Sequence, residues 1–91
     1  MNGDLRYLRK DKRGGKTDLF NNGEDLGWKG LDEDRQNNFN DLLYKFGWKS
    51  MLSQNYGERK NKILRRCTND SDNNHNDHLH IQGYQPTLKE L

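Results

Sequence analysis

The residues best suited to chemistry are the three histidines of the chain, which lie within six positions near its C-terminus: His75, His78 and His80. Neutral imidazole is the commonest metal ligand among protein side chains, and it is also the usual general base near neutral pH. The clustering of all three histidines therefore predicts a metal site or an acid–base site in this segment.

Side chains alternate in polarity along the segment that holds the histidines. If residues 77–83 form a β-strand, successive side chains point to opposite faces, so Leu79 and Ile81 share one face. The other face then carries His78, His80 and Gln82. We expect the apolar face to pack on a core, while the other face presents the imidazoles.

A helix is predicted between Asp32 or Asp34, either of which can cap it, and Gly47. Acidic residues in the first turn suit the positive end of the helix dipole, and glycine suits the left-handed residue that ends a helix. The apolar residues recur at i, i+3, i+4 and i+7, the spacing of one helix face: Phe39, Leu42, Leu43 and Phe46. We expect this apolar stripe to be core.

The order of elements predicts the fold class. Three short strands are predicted from alternation, at residues 5–9, 48–54 and 77–83. The basic segment 58–67 is compatible with a short amphipathic helix or a poorly formed strand, and polar residues 68–74 predict an exposed loop. Without regular βαβ alternation, this order favours an α+β fold, a small, mostly antiparallel sheet with one main helix packed on a face. We expect one domain over residues 1–86, followed by a tail at residues 87–91.

Composition limits how stable such a domain is. Only 29% of its 91 residues are hydrophobic and 33% are charged, which leaves little apolar surface to bury. We therefore expect marginal stability unless a bound metal or further protein supports the fold. No apolar run approaches the length of a signal-peptide core or a membrane span, so no membrane partner is expected. The compartment stays open: periplasmic or secreted if the chain belongs to a longer exported protein.

The histidine pattern resembles a known motif. His-x-x-His-x-His at residues 75–80, with Pro86 a few residues later, resembles the C-terminal motif of the penicillin-insensitive murein endopeptidases. These enzymes are grouped with the D-alanyl-D-alanine carboxypeptidases as zinc peptidases. The resemblance implies zinc as cofactor, a peptide or peptidoglycan substrate, and an incomplete domain of the same type. It makes His80 a metal ligand, His78 the catalytic imidazole and His75 an auxiliary catalytic-site residue.

A second part of the resemblance lies at the other end of the chain. Asp4 opens a segment reading Asp-Leu-Arg-Tyr, and its setting resembles that of the aspartate ligand in the family. The family has a further histidine ligand seven residues before this aspartate, a position that would precede Met1. The chain therefore holds two of the three implied ligands. Three explanations are open: the chain is a piece of a longer one, its start is placed late, or the domain has lost its metal. We expect weak zinc binding and little or no activity.

The implied chemistry is metal-assisted hydrolysis of a peptide bond. A hydrolytic zinc site needs protein ligands and an open position for water, whose pKa the metal lowers. His78 is then the candidate base or oxyanion stabiliser. Asp77 is expected on the strand face away from the imidazoles. Arg6, on the face of Asp4, is either a solvated residue or a bidentate contact for a substrate carboxylate.

Two other functions remain open. Basic residues in segment 59–66 suggest a nucleic-acid or anionic-polymer binding module that grips phosphates and stacks bases. The near balance of 16 basic and 14 acidic residues argues neither for nor against this function. Acidic residues at positions 24, 25 and 32–34 weaken any single-sign field, so a solvated basic face is the favoured interpretation of the segment. The third possibility is that the chain is a truncated remnant without activity.

Cys67 lacks a Cys-x-x-Cys partner, so we expect it to be a small half-buried hydrophobe and not a ligand. The oligomeric state is left open.

Overall fold

The protein folds as a four-stranded sheet with one main helix. The computed structural model describes residues 3–11, 17–20, 27–72 and 74–84, so the predicted tail at 87–91 lies outside them. Its elements are β1 (Gly3–Leu5), a 3-10 turn (Trp28–Gly30), α1 (Glu33–Lys45), β2 (Trp48–Ser53), β3 (Cys67–Asn69) and β4 (Leu79–Tyr84). The strand order is β1-β4-β2-β3, antiparallel except for the parallel β2–β3 pair. The α+β prediction is confirmed.

The ends of α1 follow the predicted signals. The Asp32 side chain caps the first turn by accepting a hydrogen bond from the Arg35 backbone N–H at 3.2 Å. At the other end Gly47 adopts φ 117°, a backbone conformation that favours glycine. Local capping chemistry therefore sets both ends of this helix.

The predicted apolar stripe of α1 does not form the core, so that prediction is wrong. Leu42 is 51% exposed and Phe46 is 56% exposed. The buried residues of the helix are instead Gln36 and Asn40, at 1% and 0% exposure. Within the stripe, Leu43 packs against the core. The face of the helix that points inward is therefore centred on the two amides and not on the apolar stripe.

Hydrogen bonds explain why amides occupy the inward face of α1. Gln36 Oε1 accepts from the Leu8 backbone N–H at 2.7 Å, and Gln36 Nε2 donates to Asn40 Oδ1 at 3.0 Å. Asn40 Nδ2 donates to the Arg65 carbonyl at 3.0 Å. Buried backbone groups must be paired, and here the helix supplies the partners for two irregular segments, at Leu8 and at Arg65.

The core lies on one face of the sheet, and the opposite face carries the polar residues of the site. The buried apolar residues are Tyr7, Leu19, Leu31, Met51, Tyr56, Leu64, Leu79 and Ile81. Leu79 and Ile81 of β4 are 0% and 6% exposed, so the apolar face predicted from alternation is confirmed. The next residues along β4, His80 and Gln82, point to the other face.

Two strand predictions need correction. β1 ends at Leu5 and not at residue 9, because the Leu8 N–H and C=O bond to Gln36 Oε1 and to the Asp32 N–H instead of to a strand. The basic segment forms neither a helix nor a regular strand: it runs through turns to an isolated Tyr56–Lys62 bridge. The predicted loop at 68–74 begins inside β3.

No helix in the described ranges is long and apolar enough to cross a membrane.

Candidate metal and catalytic site

The sheet register brings Asp4 against His80, although 76 positions separate them in the sequence. Asp4 on β1 is the direct cross-strand partner of His80 on antiparallel β4. Directly opposed residues share one face of the sheet with their Cβ atoms close together. Asp4 Oδ1 accordingly lies 2.9 Å from His80 Nδ1. The two residues predicted as metal ligands are therefore neighbours.

The other ring nitrogen of His80 contacts an amide. His80 Nε2 lies 3.1 Å from Gln82 Oε1, and Gln82 Nε2 donates to Ser50 Oγ at 3.3 Å. An ionised carboxylate can only accept a hydrogen bond, so the short Asp4 contact places a proton on His80 Nδ1. A metal held by both residues would take the place of that proton.

His78 sits beside this pair, although it precedes the strand that was expected to contain it. β4 begins at Leu79, so Asp77 and His78 precede the strand and do not alternate. Asp77 Oδ1 lies 2.7 Å from His78 Nδ1, and the expectation that Asp77 points away from the imidazoles is wrong. With Nδ1–H donated to Asp77, His78 has a free lone pair at Nε2, which lies 3.8 Å from Asp4 Oδ1.

His75 is held by Asp70, which the sequence did not single out. Asp70 Oδ2 lies 2.7 Å from His75 Nδ1, and the same carboxylate accepts from the backbone N–H groups of Asp72 and Asn74 at 3.0 Å each. The backbone hydrogen bonds from Asn74 and Asp72 come first in holding the pKa of Asp70 below its ordinary value, followed by that from His75. A carboxylate that fixes one imidazole nitrogen leaves the other available to the site.

The backbone of His75 is anchored by a buried network. Tyr7 Oη donates to the His75 carbonyl at 2.6 Å and lies 2.8 Å from Ser53 Oγ. Gln54 Oε1 accepts from the His75 N–H at 2.9 Å. Ser53 and Gln54 are both 0% exposed. These anchors had no signal in the sequence, since the Tyr7–His75 contact spans 68 positions.

The three imidazoles converge. The ring centroid of His75 lies 4.9 Å from that of His78 and 5.2 Å from that of His80. All the predicted site residues are thus brought to one place. The hydrogen bond with His80 holds the pKa of the Asp4 carboxyl below its ordinary value, and the charges of the neighbouring imidazoles lower it further.

An open cleft borders the site. It has a volume of about 330 Å³ and is lined by Asp4, Leu5, Arg6, Asp77 and His78. Arg6 and the catalytic candidate His78 therefore face the same space. The lining combines the cation of Arg6 with the carboxylates of Asp4 and Asp77.

Asp4 and His80 supply two donor atoms for a metal. Two ligands of one tetrahedral zinc ion lie about 3.3 Å apart, because each is about 2.0 Å from the metal. The Asp4–His80 separation is slightly shorter, as a hydrogen bond requires. Within the described ranges, no group of three or more His, Cys, Asp or Glu side chains is arranged to hold a metal ion.

Cys67 is half-buried against the core, as predicted, and burial raises the pKa of its thiol to about 12.

The basic segment is partly neutralised by α1. Arg65 and Arg66 both pair with Asp41, at 2.8 and 3.1 Å, and Lys62 pairs with Glu33 at 3.2 Å. These exposed pairs add little stability, but they interrupt the single-sign field that a phosphate-binding surface needs.

Compared with known proteins, the chain matches no family model, no curated protein and no solved structure.

Proposed function

We propose that this chain contributes to zinc-dependent hydrolysis of peptide bonds, with Asp4 and His80 as metal ligands and His78 as the catalytic imidazole. The observation that carries the proposal is the 2.9 Å contact between Asp4 Oδ1 and His80 Nδ1. This contact joins a carboxylate oxygen to an imidazole nitrogen, and both are ligand types that zinc binds once the nitrogen has lost its proton. The resemblance to murein endopeptidases assigns the same two residues to the metal.

Each residue has a distinct task in the proposed site. Zinc, when bound, polarises a carbonyl and lowers the pKa of a coordinated water. His78 takes and returns a proton at Nε2, since Asp77 occupies Nδ1 and thereby orients the ring. His75, fixed by Asp70, lines the same space. Arg6 in the bordering cleft is our candidate contact for a carboxylate of a cell-wall peptide or another short peptide.

The ligand set also sets the expected strength of binding. The family's additional histidine ligand has no counterpart among the 91 residues. With only two protein ligands, zinc is held weakly, and hydrolysis by this chain alone is slow or undetectable. By the same reasoning, we expect a third donor, such as free imidazole at low concentration, to raise the affinity of the chain for zinc.

Calorimetric zinc titration tests the ligand assignment. Wild type is compared with His80→Ala and Asp4→Asn, and with Asp34→Asn as a control that removes an exposed carboxylate from α1. We expect the first two variants to lose most of the zinc binding and the control to retain it. Equal binding by wild type and His80→Ala contradicts the proposal.

A peptide-cleavage assay tests the catalytic assignment separately. Zinc-loaded protein is incubated with a peptidoglycan-derived peptide, and products are followed by mass spectrometry. Any hydrolysis should require zinc and fall on His78→Ala substitution, whereas zinc affinity should persist in this variant. Cleavage that survives both a chelator and His78→Ala rules out the proposed chemistry.

A further inference from the structure

We propose that a second cleft, between Trp28 and a turn at residues 56–62, binds a pyranose sugar as part of an oligosaccharide. None of the described residues that line this second cleft belongs to the candidate metal and catalytic site. The inference is therefore independent of the proposed function.

The 56–62 turn forms most of the second cleft, which has a volume of about 430 Å³. The described lining residues are Trp28, Gly57, Glu58, Arg59, Asn61 and Lys62. Reciprocal backbone hydrogen bonds between Tyr56 and Lys62, at 2.8 and 3.1 Å, close the turn. Gly57 and Lys60 adopt φ 97° and 49°. A left-handed lysine is retained where the surrounding structure fixes it, so the turn presents its side chains from a fixed backbone.

Trp28 supplies the apolar wall of the second cleft. It belongs to the 3-10 turn, is half-buried and packs against the core, with its ring centroid 6.4 Å from that of Tyr56. The face of an aromatic ring is electronegative and attracts groups with a slight positive charge. The axial C–H groups on the face of an equatorially substituted pyranose are of this kind. A sugar ring therefore suits the exposed part of Trp28.

The polar lining carries charges of both signs. Glu58 and Arg59 are exposed neighbours, and neither forms a hydrogen bond or an ion pair with the described residues. The amide of Asn61 can both donate and accept. A hydroxyl group also donates and accepts, so it can bond to the carboxylate, the guanidinium and the amide alike. A ligand with several hydroxyls makes use of all three.

Other ligand classes fit this lining less well. A phosphate that approaches Arg59 also meets the Glu58 carboxylate in the same cleft. The second lining cation, Lys62, is already in an ion pair, and Lys60 lies with Nζ 4.9 Å from the centroid of the Phe20 ring. A largely apolar ligand is disfavoured because four of the six described lining residues are polar or charged.

Proton–nitrogen NMR tests the proposal by titration with cellotriose and chitotriose, two neutral β-linked oligosaccharides. The two tryptophans give separate indole N–H signals, which Trp48→Phe assigns. Trp48 stacks on Tyr84 at 4.7 Å and does not line the second cleft, so it is an internal control. We expect at least one sugar to shift the signals of Trp28 and of the 56–62 turn, with a dissociation constant on the order of 1 mM. The Trp48 signal should stay in place, and glycerol, a polyol without a ring, should shift neither.

Variants at exposed positions test the polar contacts without disturbing the core. Trp28→Ala is unsuitable because Trp28 packs against the core, so unfolding would be confused with lost binding. We expect Glu58→Ala and Arg59→Ala each to weaken sugar binding by about 5- to 10-fold. Asp34→Ala and Lys45→Ala, at exposed positions of α1 outside the second cleft, are the matched controls and should bind as wild type does.

Three results overturn the inference. The first is that neither sugar shifts the Trp28 signal, and the second is that Glu58→Ala and Arg59→Ala both bind as wild type does. The third is that adenosine monophosphate shifts the Trp28 signal while the sugars do not, which would make the ligand a nucleotide. Zinc titration of Glu58→Ala and Arg59→Ala should match wild type, so failure at the second cleft leaves the proposed function standing.

Discussion

Replacing Tyr7 with phenylalanine removes one hydroxyl from the buried network behind His75. Tyr7 is 2% exposed, and its Oη donates to the His75 carbonyl while contacting Ser53 Oγ. The ring stays in the core, so the change isolates the polar contacts. Because burial raises the pKa of Tyr7 above its ordinary value, the group is a neutral hydroxyl at any pH used for the assay.

The expected cost follows from the two contacts. Each hydrogen bond contributes about 1 kcal/mol net, and a buried partner left unpaired costs about 1–3 kcal/mol. Ser53 is fully buried, so its hydroxyl loses a partner that water cannot replace. We expect Tyr7→Phe to lower the free energy of unfolding by about 2–3 kcal/mol and the melting temperature by on the order of 10 °C. For a domain with a small core, this is a large share of the total.

Denaturant unfolding of a small variant set measures this cost. Ser53→Ala should lose about 1 kcal/mol, because Tyr7 Oη keeps the His75 carbonyl. The double variant should show a coupling of roughly 1 kcal/mol. Tyr44→Phe is the matched control: Tyr44 is 37% exposed, so its change should stay within about 0.5 kcal/mol. If Tyr7→Phe costs no more than Tyr44→Phe, the network does not anchor His75 energetically.

Three further predictions concern other parts of the molecule. Leu79→Ala should lower the free energy of unfolding by about 2–5 kcal/mol and Leu42→Ala by under about 1 kcal/mol, since these leucines are 0% and 51% exposed; equal losses in denaturant unfolding would contradict the inward face of α1. Native Cys67 should react with a disulfide reagent at pH 8 far more slowly than the unfolded chain, because burial raises its pKa to about 12; equal rates would contradict it. Because the native pKa of Asp70 is lowered, its ionised carboxylate stabilises the fold above the ordinary carboxyl pKa, and this stabilisation is lost as pH falls through the native pKa. Asp70→Asn should therefore reduce the decline of the free energy of unfolding at acidic pH.

Local signals in the sequence predicted parts of this structure well. The capping aspartate Asp32 and the terminal Gly47 set the ends of α1, and alternation identified the buried face of β4. The inward face of α1 was mispredicted because Gln36 and Asn40 are buried through hydrogen bonds to distant backbone groups. Apolar periodicity carries no information about such contacts.

The candidate site, too, was predictable only in part. The histidine cluster is visible in the sequence, and alternation also placed Gln82 on the face of His80. The approach of Asp4 depends on pairing between the two ends of the chain, so only the resemblance to a known motif brought it into consideration. The support of His75 by Asp70 depends on the path of a loop, which neither composition nor spacing determines.

Zinc X-ray absorption on the protein loaded with one equivalent of metal tests the ligand assignment most directly. We expect nitrogen and oxygen neighbours at about 2.0–2.2 Å, with imidazole scattering that falls in His80→Ala. Sulfur at about 2.3 Å would indicate Cys67 as the ligand. Either that sulfur signal or an identical spectrum for wild type and His80→Ala would contradict a zinc site built on Asp4 and His80.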